Sequence, residues 1–264
     1  MAATTGVNDA TATPIKATPL ALLVAPVCTV PAVVLAVVLA VVLAIVGVPI
    51  WAVIVAAVAV AVAFGAWLIT TSDKVARGGL ALRDVNEADY ARLFNMVEGL
   101  CDSHGFRRPA LHVIDDDARN AVVYGRSSGH ATLAVTRGWL DSLSRTGLEG
   151  LLARELALAN SDSLPTVTVA ASIARVLPGG LRTWFLRRVL GEHRLILDDF
   201  EAVRLTRYPP GLAEALATQQ AGSPVVIGAA PTSGHLWVTP PARDGASVGY
   251  VVSLDVRVDA LREL

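Results

Sequence analysis

The histidines are the first candidates for metal ligands or acid–base groups in this sequence. They are His104, His112, His130, His193 and His235, and no two of them lie at i, i+4 or at another spacing typical of metal ligands. His193 stands out, because Glu192, Asp198 and Asp199 lie close to it in the sequence. The histidine spacing by itself therefore predicts no metal site.

Other reactive residue types form no recognisable catalytic pattern. The acidic run Asp115-Asp116-Asp117 follows a predicted strand. Three adjacent side chains in an extended turn point apart, so we expect a solvated loop there. Ser127, Ser128 and Ser142 lack the G-x-S-x-G context of an activated serine, and Cys101 lies on an apolar helical face.

The charged residues are unevenly distributed along the chain. Although the formal net charge is only -1, the sole charged residues before Ser72 are Asp9 and Lys16. The chain is 53% hydrophobic and has a mean hydropathy of +0.54, which is too apolar for an ordinary soluble domain. We expect the excess apolar surface to face lipid. The lack of a basic field argues against nucleic-acid binding.

Residues 19–71 form an uncharged, apolar stretch after a polar leader at residues 1–18. A bilayer core needs about 20 apolar residues, so the stretch has room for a transmembrane helical hairpin. We place its two helices at Val24 to Val46 and Pro49 to Ile69. Basic residues flank the hairpin on both sides, which predicts a multi-pass protein of the cell membrane with a cytosolic N-terminus and a cytosolic domain. A cleaved signal peptide is disfavoured because no charged segment opens the chain.

Residues 72–264 are long enough for one domain with its own core. Apolar residues at helical spacing predict a helix from Asn86 to His104, capped by Asn86 and Gly105, and a buried helix from Gly147 to Asn160. Between them, a small sheet is predicted at Ala110 to Ile114, Asn120 to Tyr124 and Ala131 to Thr136.

The rest of the domain is predicted to be mainly helical, which gives an α+β fold. Leu164 to Leu190 is an apolar run followed by arginines, too short and too charged to span a membrane. It either lies on the membrane surface or packs on the domain as an amphipathic helix. Further helices are predicted at Asp198 to Arg207, Gly211 to Gln219 and Leu254 to Leu264, and a strand-like segment at His235 to Thr239.

The order of these segments resembles that of the HtpX-like membrane zinc metallopeptidases. Two N-terminal spans, a helix and a small sheet precede Leu148 to Leu158, where that family carries H-E-x-x-H. Asn120-Ala121 matches the Asn-Ala segment before the edge strand of the family, and Arg194 and Asp199 match its R-E-x-x-x-D segment. The resemblance covers nearly the whole chain and implies a zincin-like (gluzincin) domain.

In that family, as the resemblance implies, two histidines and a distant Glu hold zinc, and a second Glu takes a proton from the metal-bound water. Here the three ligand positions are occupied by Arg154, Leu158 and Leu195. Arg stays protonated and Leu has no donor atom, so none of them can coordinate zinc. Only Glu155, at the general-base position, retains its residue type. The sequence therefore predicts an inactive domain without a cofactor.

The altered positions also predict how the former cleft is filled. We expect Leu158 and Leu195 to form an apolar plug beside an ion pair of Glu155 with Arg154 or Arg194. The further candidates for structural or cleft roles are Arg194, Asp199, His193 and Asn120.

Three functions remain open at this point. The first is a membrane-anchored, inactive homologue that binds a protein or a peptide, the peptide lying along an edge strand near Ala131 to Val135. The second is an active membrane metallopeptidase with a non-standard zinc site near His193, whose second donor would have to be Glu155. The third is a membrane structural protein that keeps the fold for stability alone.

Overall fold

The computed structural model describes residues 37–38, 49–191, 193–241 and 252–264. The leader and nearly all of the first predicted span, Val24 to Val46, lie outside these residues. Helix α1, Ile50–Thr70, covers the second predicted span and begins directly after Pro49. In the described part of the chain, no helix was found to be long and apolar enough to cross a membrane. The two spans therefore stay predictions.

Behind α1 lies a mostly helical domain with one small sheet. Its first elements are α2 (Ser72–Arg77), β1 (Leu82–Asp84), α3 (Ala91–His104), β2 (Ala110–Ile114), β3 (Ala121–Gly125), a 3-10 turn (Ser128–His130) and β4 (Ala131–Thr136). The later elements are α4 (Arg137–Ser142), α5 (Arg145–Ala159), α6 (Leu164–Val176), α7 (Gly179–Leu190), α8 (Arg194–Thr206), α9 (Pro209–Gln220), a second 3-10 turn (Pro231–Leu236) and α10 (Leu254–Arg262).

The four strands are ordered β1-β2-β4-β3, so β4 lies inside the sheet. It pairs with β2 in parallel and with β3 in antiparallel orientation, which occupies the backbone on both of its sides. The prediction of a peptide-binding edge along Ala131 to Val135 is therefore wrong. The edge strands are β1 and β3, and all residues of β3 are buried. The outer side of β3 is partly covered by this chain, since the N–H of Val238 donates to the carbonyl of Ala121 at 3.1 Å.

Local sequence signals locate most elements but not all of their ends. The strands at Ala110–Ile114 and Ala131–Thr136 are confirmed. Helix α3 ends at Gly105 in the left-handed conformation, as predicted, with φ +67°. It begins at Ala91 rather than Asn86. Asn86 instead begins a separate turn, in which its Oδ1 accepts from the N–H of Ala88 at 3.2 Å. Strand β1 was not predicted.

Helix α5 is the centre of the domain and carries the candidate site. It packs against α3, α8 and α9 and against strands β3 and β4, so it is buried on nearly all sides. The approach to α9 is so close that a Cβ at Gly150 would lie 2.5 Å from the backbone nitrogen of Leu212. Because neighbours surround the middle of α5, Arg154 and Glu155 there cannot reach bulk water and must find partners within the protein.

A buried ion cluster at the candidate active site

Glu155 and Arg154 are neighbours on α5 and are 0% and 1% exposed. Arg154 donates from Nη1 to Glu155 Oε1 at 2.5 Å and from Nε to Asp199 Oδ1 at 2.8 Å. Its Nη2 lies 3.6 Å from Asp198 Oδ2. The structure thus places Arg154, rather than Arg194, against Glu155.

Arg257 on α10 reaches the same place from the C-terminal end of the chain. Its Nε and Nη2 donate to the two carboxylate oxygens of Asp199 at 2.7 and 2.8 Å, a bidentate arrangement. Its Nη1 donates to the carbonyl of Val238 at 2.7 Å. Sequence reasoning missed Arg257. A signal was present, because Arg257 lies beside Val258 and four residues before Leu261, on the apolar side of a predicted helix.

Arg194 and Asp198, both on α8, lie next to these groups. Arg194 is 6% exposed, and its Nε lies 3.6 Å from Asp198 Oδ2. The six residues that we call the buried ion cluster are Arg154, Arg194, Arg257, Glu155, Asp198 and Asp199. Their formal charges sum to zero. Buried ionised groups need oppositely charged partners, because their mutual attraction offsets the cost of removing them from water.

The electrostatics keep Arg154 charged inside the domain. Burial lowers the pKa of its guanidinium, but the carboxylates of Glu155, Asp199 and Asp198 outweigh burial and raise that pKa above its ordinary value. Burial also raises the pKa of the Glu155 carboxyl, and the nearby Arg154 only partly offsets this. Arg154 therefore acts as a fixed cation in the cleft.

The residues present at the three expected ligand positions do not fit zinc. Arg154 is a protonated hydrogen-bond donor there, and Leu158 and Leu195 have no donor atom. Among the residues that the structure describes, no group of three or more His, Cys, Asp or Glu side chains could hold a metal ion. His193 lies exposed at the N-terminal boundary of α8, outside the buried ion cluster.

The predicted apolar plug consists of two residues that are both buried, at 4% exposure for Leu158 and 7% for Leu195. Leu158 belongs to the contiguous apolar core of the domain, whereas Leu195 lies outside it. The contact between the two leucines therefore stays a prediction.

Asn120 is fully buried and joins the sheet to two later segments. Its side-chain amide donates to the carbonyls of Pro224 at 2.9 Å and Thr239 at 2.7 Å. Its Oδ1 accepts from the N–H of Ala121 at 3.0 Å, and its backbone N–H donates to the hydroxyl of Thr136 at 3.0 Å. These contacts give Asn120 a structural role beside the edge strand.

His235 is a buried histidine in the second 3-10 turn. Its Nε2 lies 2.8 Å from the carbonyl of Val167, and this contact joins the second 3-10 turn to α6. Desolvation lowers the pKa of His235 to about 4; the hydrogen bond to Val167 opposes that shift and the positive charge of Arg194 adds to it. At neutral pH, His235 is therefore a neutral structural group.

Comparison with known proteins finds relatives that carry the name Protease HtpX homolog. The chain is 29% identical to the one from Dictyoglomus turgidum (strain DSM 6724 / Z-1310) over 179 residues, which are 55% of this chain and 59% of that protein. It is 27% identical to the one from Tropheryma whipplei (strain TW08/27) over 197 residues, or 62% and 68% of the two chains. It is 35% identical to the one from Thermodesulfovibrio yellowstonii (strain ATCC 51303 / DSM 11347 / YP87) over 103 residues, or 39% and 36%.

No family model matches the chain, and no solved structure matches it significantly. The relatives nevertheless confirm the resemblance that the sequence motifs indicated: the chain is similar to proteins named Protease HtpX homolog over more than half of its length. The alignment spans less than two thirds of the first of these relatives. Activity and partners are therefore matters for a proposal.

Proposed function

We propose that this chain is a membrane-anchored, catalytically inactive homologue of the HtpX-like zinc metallopeptidases that acts by binding a protein or peptide partner. The observation that carries the proposal is that Arg154, which the resemblance aligns with a zinc ligand, forms hydrogen bonds with two buried carboxylates. Without a divalent ion, no water of lowered pKa is available to Glu155, and no Lewis acid polarises the peptide carbonyl.

Charge balance supports the proposal that zinc does not bind in this cleft. A metal ion would have to displace Arg154 from Glu155 and Asp199, and this exchange of one positive charge for two would leave the neutral cluster with a net charge of +1. Asp199 also accepts hydrogen bonds from two nitrogens of Arg257, so both of its oxygens are engaged. The neighbouring Leu158 and Leu195 supply no replacement ligand.

Membrane anchoring is supported by the uncharged sequence of residues 19–71 and by the apolar surface of α1. Side chains along that helix are largely exposed, including Trp51 at 66% and Val62 at 66%. Its C-terminal end instead joins the domain, where Leu68 is fully buried. A continuous apolar surface of this kind is unfavourable in water, so we propose that it faces lipid, with the N-terminus and the domain on the cytosolic side.

The first test is the metal content of the full chain purified in detergent. We expect far less than one zinc per chain. We also expect that the protein shows no chelator-sensitive cleavage of an unfolded protein substrate. Near-stoichiometric zinc together with chelator-sensitive cleavage by the natural protein would instead establish an active metallopeptidase with a non-standard site.

The second test restores the three ligand positions through Arg154→His, Leu158→His and Leu195→Glu in one chain. We expect this variant to bind about one zinc per chain, because four-residue spacing on one helical face brings two imidazoles to the same metal. The double variant without Leu195→Glu is the matched control and should bind more weakly. Equal zinc binding by both variants would show that position 195 is not the third ligand.

The binding role is tested by crosslinking the natural protein in cells. A recurrent partner that is retained by a Glu155→Gln variant would support binding without catalysis. The repeated absence of any partner under conditions that capture known membrane complexes would favour a purely structural protein.

A further inference from the structure

Helix α7 carries an apolar face that the described residues leave uncovered. Trp184 is 62% exposed and Leu181 is 48% exposed, and they lie three residues apart, on one side of the helix. The helix packs on the domain through the buried residues Phe185, Leu186 and Leu190. Val176, at the end of the preceding helix α6, is 40% exposed and extends the apolar surface.

The same segment is strongly basic. Residues 164–191 contain no Asp or Glu, and their four arginines are Arg175, Arg182, Arg187 and Arg188. The formal charge of the segment is therefore +4 in a chain whose net charge is -1. Arg175 and Arg188 are exposed next to the apolar side chains. An apolar strip with Trp and flanking arginines is the composition of helices that lie in the plane of a membrane interface.

The position of α7 in the fold agrees with such a contact. Helix α6 packs against α1 and α2 on one part of its surface and against α7 on another. Ala61 and Phe64 of α1 pack against the domain core, so the proposed anchor is joined to the domain close to α6. Helix α7 is thus one helix away from the anchor. With 12 residues it is also too short to span a bilayer.

We propose that α7 docks on an anionic lipid surface, with Leu181 and Trp184 at the boundary between headgroups and acyl chains and the arginines against lipid phosphates and carboxylates. This inference rests on the membrane anchoring in the proposed function. It also separates the two interpretations of Leu164 to Leu190: α6 is packed within the domain, as its buried residues from Thr166 to Ala174 show, and α7 is the part that contacts lipid.

The test uses the full chain reconstituted into vesicles that contain lipids brominated near the headgroup, which quench nearby tryptophans. The quenching of Trp184 is the difference between the natural chain and a Trp184→Phe variant. We expect this difference to be large in vesicles with anionic phosphatidylglycerol and small in pure phosphatidylcholine. At low salt, Arg188→Gln and Arg175→Gln should each lower the ratio of docked to undocked helix about fivefold. High salt should lower the same ratio for the natural chain, because it screens the attraction between the arginines and the anionic lipid.

Arg262→Gln is the matched control, since Arg262 is an exposed arginine on α10, outside the proposed face. It should leave the quenching unchanged. Flotation of the same samples separates the two proposals: a chain that does not float with vesicles contradicts the membrane anchor itself. A chain that floats but shows no lipid-dependent quenching of Trp184 contradicts only the docking of α7. A dimer that crosslinks through a Trp184→Cys variant would assign this face to a second copy of the chain and would also overturn the proposal.

Discussion

Replacing Arg154 with Met removes the cation of the buried ion cluster that contacts Glu155, while it keeps a long side chain in the same space. Glu155 then loses the hydrogen bond of 2.5 Å to its Oε1, and within the described residues its Oε2 has no other partner. Asp199 keeps both hydrogen bonds from Arg257. The substitution therefore leaves chiefly one uncompensated charge, on Glu155.

Removing one partner of a buried ion pair typically costs about 3–5 kcal/mol of folding free energy, and we expect Arg154→Met to fall in this range. The double variant Arg154→Met with Glu155→Leu removes the stranded charge and should recover much of the loss, because apolar replacement of a whole buried pair is often nearly neutral. Arg204→Met is the surface control. Its ion pair with Glu201 is exposed, and the loss should stay below about 1 kcal/mol.

Chemical unfolding of the full chain in detergent micelles, followed by near-ultraviolet circular dichroism, measures these free energies. The pH dependence gives a second criterion. Without Arg154 the pKa of Glu155 rises further above its unfolded value of 4.5, so the folded state binds a proton that the unfolded state does not. The penalty should therefore be largest at pH 8 and should shrink as the pH falls toward about 4.5. A penalty below about 1 kcal/mol that is the same at both pH values would refute the buried ion cluster as described.

Three further predictions concern the packing around this site. Because the folded-state pKa of His235 is about 4, against an ordinary value of 6.5, the unfolded state takes up the proton first. Stability should therefore fall by about 3 kcal/mol between pH 6.5 and 4; His235→Gln should remove this slope, and the exposed His130→Gln should not. Asn120→Ala leaves two half-buried carbonyls without their donors and should lower the unfolding free energy by about 1–3 kcal/mol, as urea unfolding would show. Gly150→Ala should destabilise by about 1–3 kcal/mol because its Cβ meets the backbone of α9, whereas Gly99→Ala, which meets no atom within 4 Å on helix α3, should stabilise by about 0.5–1 kcal/mol; a thermal melt that ranks these two in the opposite order would contradict the packing.

The sequence alone predicted the elements whose signals are local. Alternating apolar residues and turn residues located β2 and β4, and Gly105 marked the end of α3. The sequence also predicted that side chains unable to bind zinc occupy the ligand positions implied by the resemblance, two of which lie four residues apart on one helix. Such features involve residues a few positions apart, where the backbone geometry of a helix or strand determines which side chains are neighbours.

The tertiary structure decided which distant groups meet. Arg257 pairs with Asp199 across 58 residues, and Arg154 pairs with it across 45. Neither contact follows from periodicity, because the period of a helix gives its apolar side but not the element that packs on it. The same limit made the prediction for Ala131 to Val135 wrong: strand composition does not give the order of strands in a sheet. The sequence thus predicted that the metal ligands are missing, and only the packing of α5, α8 and α10 decided that a neutral group of buried ion pairs forms around Arg154.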